Sequence, residues 1–285
     1  MKKSVIVILL VLSLLIPTTS CSALHSIEVT SKDYPKLTKM EPEKFDFEEE
    51  MEREIADLND ENFVYRVCYL TVEDDSLRVE NNVDYFRTTQ EETFNFGYLV
   101  GVNIGEFDGW VRWFPYHTSH YPEGESPKSI LLSKENYSFI IKEDNDNAFI
   151  VCEIPTFGVN KDGETSGETV VYDFDVIWDK NDGEAGYDIS CTEIARFAGA
   201  VTAYYLSEED RCIYFVTDMS IVKMTFDGKI EELVWIDYFH TIGVNSIVKF
   251  EGEFYCGSVR GIYRFNPDTG EDFWYPMDYE KYAED

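Results

Sequence analysis

Three carboxylates sit where carboxylates are out of place. Asp173 and Asp175 interrupt the apolar run VVYDFDVIW from Val170, and Asp218 closes the run CIYFVT from Cys212. Burial in such runs disfavours the charged form and raises a carboxyl pKa. Two carboxyls held at different pKa values are the apparatus of glycoside hydrolysis, one donating a proton and the other acting as base or nucleophile. With 56 Asp plus Glu in 285 residues, however, some acids fall inside apolar runs by chance. No glycine-rich phosphate loop, no GxSxG and no Ser-His-Asp order accompanies them. The reading is therefore a non-catalytic protein, with hydrolysis by strand-borne carboxylates as the alternative.

Metal ligation has two sources. His117 and His120 are three residues apart and share a face, but nothing fixes a third ligand beside them, since only His25 and His240 remain. The stretches Asp144 to Asn147, Asn160 to Glu164, and Asp179 to Glu184 with Asn181 are rich in oxygen ligands, of which calcium needs six to eight. None keeps the EF-hand register, because Gly183 falls fifth from Asp179 and no Glu follows at the twelfth position. They read as acidic hairpin tips, so no cofactor is expected and calcium is the one to test. Aromatic platforms are the last candidates: Trp110, Trp113, Tyr116 and Tyr275 can stack on sugars, peptides or cationic groups. Tyr116 and Tyr275, next to Pro115 and Pro276, are expected to be exposed in loops.

The elements that must position these residues are almost all strands. Short alternating or β-branched runs follow one another from Glu61, punctuated by Asp108-Gly109, Asp162-Gly163, Asp182-Gly183, Asp227-Gly228 and Glu251-Gly252, which suit tight hairpins. The segment IYFVTDMSIVKMTFDGK from Ile213 aligns without a gap on FYCGSVRGIYRFNPDTG from Phe254, at an offset of 41 residues. Tyr214 meets Tyr255, Ile221 meets Ile262, and Asp227 meets Asp268. Leading strands precede the units at Tyr137 to Ile141, Val201 to Leu206 and Ser246 to Phe250. A period near 40 residues with about four strands per unit is that of a propeller blade. The copy from Ile213 also resembles the blades of YWTD-type and related bacterial repeat propellers, which implies the fold alone. The expectation is an all-β propeller of about five blades, four to six, over residues 45–285; a β-sandwich is the alternative. Phe47, Met51, Ile55 and Leu58 recur at helical spacing and predict one N-terminal amphipathic helix.

The first residues carry an address. Lys2 and Lys3 precede an apolar run from Val5 to Ile16, too short to span a bilayer but suited to a secretory signal over residues 1–23. Thr18-Thr19-Ser20-Cys21-Ser22 resembles a bacterial lipoprotein signal, which implies diacylation of Cys21 and anchoring at the cell surface. Ordinary cleavage after Ala23 and release is the other outcome. Residues 24–44, polar with Pro35 and Pro42, read as a linker. The other five cysteines show no CxxC spacing, and four of them lie in apolar runs, which reads as buried thiols.

Charge narrows the partners. With 24 Lys plus Arg against 56 acids, the net charge is −32, which argues against nucleic acid and against anionic lipid except through a lipid anchor. A cationic peptide or protein, or a component of the cell envelope, is the expected partner.

Overall fold

A computed structural model describes residues 27, 30–31, 40–46, 48–49, 52–53, 68–81, 89–103, 109–116, 128–154, 167–179, 186–236 and 243–277. They form an all-β protein of five small sheets. The first sheet contains β1 (Thr30–Ser31), β2 (Cys68–Glu73) and β3 (Ser76–Asn81), in the order β1-β3-β2. The second is β4 (Thr89–Phe94), β5 (Gly97–Asn103), β6 (Gly109–Pro115) and β7 (Ile130–Ser133). The third is β8 (Asn136–Lys142), β9 (Asn147–Ile154), β10 (Glu168–Asp179) and β11 (Gly186–Ala198). The fourth is β12 (Val201–Ser207), β13 (Cys212–Thr217), β14 (Ser220–Thr225) and β15 (Ile230–Trp235). The fifth is β16 (Val244–Phe250), β17 (Glu253–Ser258), β18 (Gly261–Phe265) and β19 (Asp272–Pro276). The last four sheets are antiparallel meanders in sequence order, the arrangement that short turns and alternating strands dictate.

Sheets pack face to face. All six residues of β13 are buried, because both faces of this middle strand meet a neighbouring sheet, whereas the outer strand β15 is largely exposed. Separate apolar clusters join the second sheet to the third through Trp113, Ile150 and Phe174, and the third to the fourth through Phe149, Val171 and Phe215. Others join the fourth to the fifth through Val216, Ile221 and Trp274, and the fifth to the first through Ile262, Leu70 and Val79. Five small sheets in this succession are propeller-like and replace the sandwich alternative, which needs two large sheets. At the junction of the fifth and first sheets the backbones nearly touch. A Cβ on Gly257 would lie 2.1 Å from the Cys68 carbonyl oxygen, so only glycine fits there.

The repeat is visible in the register. Ile221 pairs with Val216 and Ile262 with Gly257, on the two middle strands of adjacent sheets, and both isoleucines are fully buried. Two of the expected turns form, with Gly228 at φ +83 and the pair Glu251 and Gly252 both at positive φ, whereas Asp108 and the pairs Asp162-Gly163 and Asp182-Gly183 lie outside the described residues. Asp74 and Asp75 make an equivalent turn with no glycine, which composition does not mark.

Two expectations about the N-terminal part change. The stretch read as a linker contributes β1, which pairs in parallel with β3, and Met40, which is fully buried between the first and fifth sheets. Glu43 bridges to Trp274 at the outer edge of the fifth sheet. Isolated apolar residues such as Ile27 and Met40 find partners only in the tertiary structure, so a polar local composition hides them. Of the expected helix, Glu48, Glu49, Glu52 and Arg53 are helical, with the Asp46 carboxylate accepting the Glu48 and Glu49 N–H groups. The three-turn helix is not shown, since most of its span lies outside the described residues.

Candidate functional site

The strands that lead the sheets converge on a cavity of about 830 Å³. Its wall comes from β2, β4, β8, β12 and β16, one strand from each of the five sheets, with Asn103 of β5 and Glu153 of β9. Three of these strands carry a register break at the wall. The break falls between Tyr137 and Phe139 in β8, between Val201 and Ala203 in β12, and between Val244 and Ser246 in β16. The residues set into the breaks are Ser138, Thr202 and Asn245, all polar and all at the cavity. A β-bulge re-aims the side chain it inserts, and here the breaks set one polar residue from each of three successive sheets in a common collar at the wall.

Neighbouring sheets are tied together around this collar. The Gln90 amide acts like a piece of strand: its Nε2 donates to the Ile140 carbonyl at 2.9 Å and its Oε1 accepts the Ile140 N–H at 3.0 Å. The Tyr137 hydroxyl donates to the same Oε1 at 2.5 Å, and Asn103 Nδ2 donates to the Tyr137 carbonyl at 3.0 Å. Between the fifth and first sheets, Ser246 Oγ accepts the Leu70 N–H at 2.9 Å. Asn245 differs. Both atoms of its amide are buried without a hydrogen-bond partner, as is the Thr71 hydroxyl on β2.

Among the described residues that line the cavity Glu153 is the one charged residue, and no Lys, Arg or His joins it. Burial, and then the nearby negative charge of Asp218, push its carboxyl above the ordinary range. Asp218 itself lies in the turn between β13 and β14, where its Oδ1 accepts the Ala200 N–H at 3.0 Å. Glu153 was not singled out in the sequence; its only mark there is an acid near the end of the apolar run AFIVCEI.

The three carboxylates of the hydrolase alternative do not gather. Asp173 and Asp175 share one face of β10, opposite Phe149 and Asn147 of β9. Burial raises both carboxyls, helped by Asp175 at the first and by Asp144 at the second. Glu143 joins this acidic group and is likewise raised, mainly by burial, while Arg211 across the sheet junction, 3.9 Å away, opposes the rise. Asp218 keeps company with Glu153 instead. On the β9–β10 ladder Glu153 sits four residues from Phe149, the partner of Asp173, which is about 13 Å at 3.3 Å per residue. None of the three carboxylates is at the cavity wall.

The aromatic candidates divide. Trp113 is fully buried against Phe94 and Phe174, with ring centroids 5.9 and 5.4 Å away, so it is core and not a platform. Tyr275 is also fully buried, and its hydroxyl accepts a hydrogen bond from Arg264 at 3.0 Å. Pro276 does not place it in a loop. The proline is the last residue of the outer strand β19, where a missing N–H costs no ladder bond to a further strand. Tyr116 is 39% exposed as expected, beside Tyr98, and Trp110 is half-buried under the Arg112 guanidinium. They lie near opposite ends of β6, six residues or about 20 Å apart at 3.3 Å per residue.

His117, His120, Asn181, Cys21 and the side chain of Asp179 lie outside the described residues. Among the described residues no three His, Cys, Asp or Glu side chains are grouped to hold a metal. At the tip from Asp144 to Asn147 the Asp144 carboxylate is already engaged: its Oδ1 accepts the Asp146 and Asn147 N–H groups at 2.7 and 2.8 Å. Burial is the largest single influence and raises this carboxyl, but these donors, the Asn147 amide and Lys142 together outweigh it and hold the group below its usual range. Cys152, Cys212 and Cys256 are free and buried, Cys68 is buried, and Cys191 is free and half-buried; burial pushes the Cys152 thiol up to about 12 and Cys191 to about 11. Such thiols are inert packing groups at neutral pH.

No protein-family model matches the chain, and no curated protein matches it in sequence. Among solved structures it is similar to a gluconolactonase from Xanthomonas campestris, at 7% identity and a TM-score of 0.30, over 73% of this chain and 64% of that one. It is also similar to the extracellular domain of a protein from B. thetaiotaomicron described as a hybrid two-component system, at 11% identity and a TM-score of 0.34. That match covers 77% of this chain and 34% of the other. A second structure of that extracellular domain, described as a one-component system, gives 11% identity and a TM-score of 0.33, covering 79% and 35%. The chain thus spans less than two thirds of each of these structures.

Proposed function

We propose that this protein is an exported binding module of the bacterial cell surface, anchored by lipid on Cys21, with its five sheets closed into a five-bladed propeller. Its ligand compartment is the central cavity, and it performs no chemistry there. The observation that carries this reading is the composition of the wall: the polar residues Ser138, Thr202 and Asn245, one carboxyl, and, among the described residues, no cationic group or nucleophile–base pair. Such a wall orients a ligand by hydrogen bonds and lacks the means to transform it. The negative field of the chain turns anions away and draws neutral or cationic envelope components in.

A hydrolase is the second reading, favoured by one observation. Glu153 at the wall has the raised carboxyl that a general acid needs, with Asp218 as its acidic neighbour. Asp218, however, is off the wall and spends an oxygen on the Ala200 N–H.

The two readings separate when the mature chain is incubated with purified cell-envelope glycans and with basic peptides. Saturable binding with no release of reducing ends, abolished by Thr202→Trp, which fills the cavity, supports the module. Turnover that disappears in Glu153→Gln supports the hydrolase. Cys21→Ser in the full chain is expected to move the protein from the membrane to the medium.

A further inference from the structure

The leading strands give the molecule two ends. The register breaks fall among the first residues of β8, β12 and β16, and Ser246 Oγ accepts the Leu70 N–H near the start of β2. These strands therefore all set out from the collar. The turns that follow them gather at the other end. The Asn95 N–H donates to the Asn145 carbonyl at 3.0 Å, Arg211 reaches Glu143 at 3.9 Å, and Lys249 Nζ meets Asp210 at 3.0 Å. The chain enters from this turn end. β1 pairs in parallel with β3, Thr30 with Arg78 and Ser31 with Val79, and β3 starts directly after the turn at Asp74 and Asp75. Ahead of β1, Ile27 is buried and exchanges backbone hydrogen bonds with Met40 at 3.1 and 2.9 Å. β1 is also the outermost strand of its sheet.

The folded part of the chain thus includes Ile27, inside the stretch that reads as a linker. Cys21 lies six residues before Ile27, a reach of at most about 22 Å even for a fully extended chain. Resting on the lipid anchor proposed above, we infer that the bilayer lies at the turn end of the propeller and that the collar faces away from it. The cavity then takes its ligand from the extracellular side, a soluble or envelope-borne component and not a membrane lipid. Charge favours the same posture. The turn end exposes Asp74, Asp75, Glu143, Asp144, Glu208 and Glu209. Anionic head groups repel these acids, which keeps the domain from lying down on the membrane and holds the short tether extended. From the turn end to the collar is the length of a leading strand, seven residues in β12 or about 23 Å.

The test is energy transfer from a fluorophore on the lipidated full chain, in proteoliposomes, to an acceptor on the lipid head groups. The fluorophore is carried by one introduced cysteine at a time in a Cys191→Ser background, since the other described thiols are buried. Glu73→Cys and Glu209→Cys mark the turn end, and Ala198→Cys, two residues before Ala200 of the wall, marks the collar end; all three positions are exposed. Transfer is expected to be about twofold or more stronger at Glu73 than at Ala198, with Glu209 also above Ala198. A Gly-Ser insertion of about 20 residues after Ala23 adds about 25 Å of flexible reach, so it should erase that order while membrane retention stays. Equal transfer at the three positions, stronger transfer at Ala198, or an order that survives the insertion overturns the orientation and leaves the anchored module standing. A chain recovered in the soluble fraction overturns the anchor and the orientation together.

Discussion

Thr217 and Ser258 do the same work in adjacent sheets. Thr217 Oγ1 accepts the N–H groups of Met219 and Ser220 at 3.1 and 2.9 Å, and Ser258 Oγ accepts those of Arg260 and Gly261 at 3.3 and 3.1 Å. The freed carbonyls of Met219 and Arg260 then accept the Ile236 and Met277 N–H groups, just beyond the last strand of each sheet. The offset of 41 residues in the sequence is therefore a repeat of hydrogen bonds and not only of apolar positions.

Removing either hydroxyl strands two backbone donors in a buried turn. Thr217→Val and Ser258→Ala should each cost about 1–3 kcal/mol, read as a lower urea midpoint with an unchanged slope.

Ile221 and Ile262 fill equivalent positions in two different core clusters. Each replaced by Ala should cost about 2–5 kcal/mol in urea unfolding, and a much smaller loss at one would mean that the two sites are not equivalent.

How far the sequence reveals this architecture depends on the range of the interaction. Hairpins and leading strands are legible because a turn residue and its flanking runs are neighbours in the chain, as at Asp227-Gly228 and at Tyr137 to Ile141. The collar is not legible. A bulge at Ser138, Thr202 or Asn245 is defined by the strand opposite, and a polar residue after an apolar one reads as ordinary alternation. Trp113 and Tyr275 mislead for a related reason: whether an aromatic ring is platform or core is decided by the sheet packed on it. Asp173 and Asp175 were found as raised carboxyls from local pattern, whereas their separation from Asp218 is a matter of register along β10.

The raised carboxyls give a pH dependence with a definite sign. A carboxyl whose folded pKa lies above its unfolded value of about 3.9 binds its proton more tightly when folded. It contributes stability below the unfolded value and loses that contribution as pH rises through the folded one. Asp173→Asn and Asp175→Asn should therefore be more stable than the unaltered protein at pH 7. That advantage should shrink toward zero as the pH falls to about 4, as thermal melts across pH would show.

At the tip from Asp144 to Asn147 the carboxylate already accepts N–H donors, so it has little to offer a cation. Millimolar Ca²⁺ should shift the melting temperature no more than a monovalent salt of equal ionic strength. A larger, Ca²⁺-specific rise would place a metal site in the protein.

The collar itself can be tested most directly by measuring ligand affinity and melting temperature together for Ser138→Ala and Thr202→Val, with Tyr116→Ala as an exposed control away from the cavity. If the cavity is the binding compartment, both collar variants lose affinity for the cell-envelope component that the mature chain binds while their melting temperatures stay level or rise, and the control keeps its affinity. Collar variants that melt lower yet bind as tightly as the unaltered protein would contradict it.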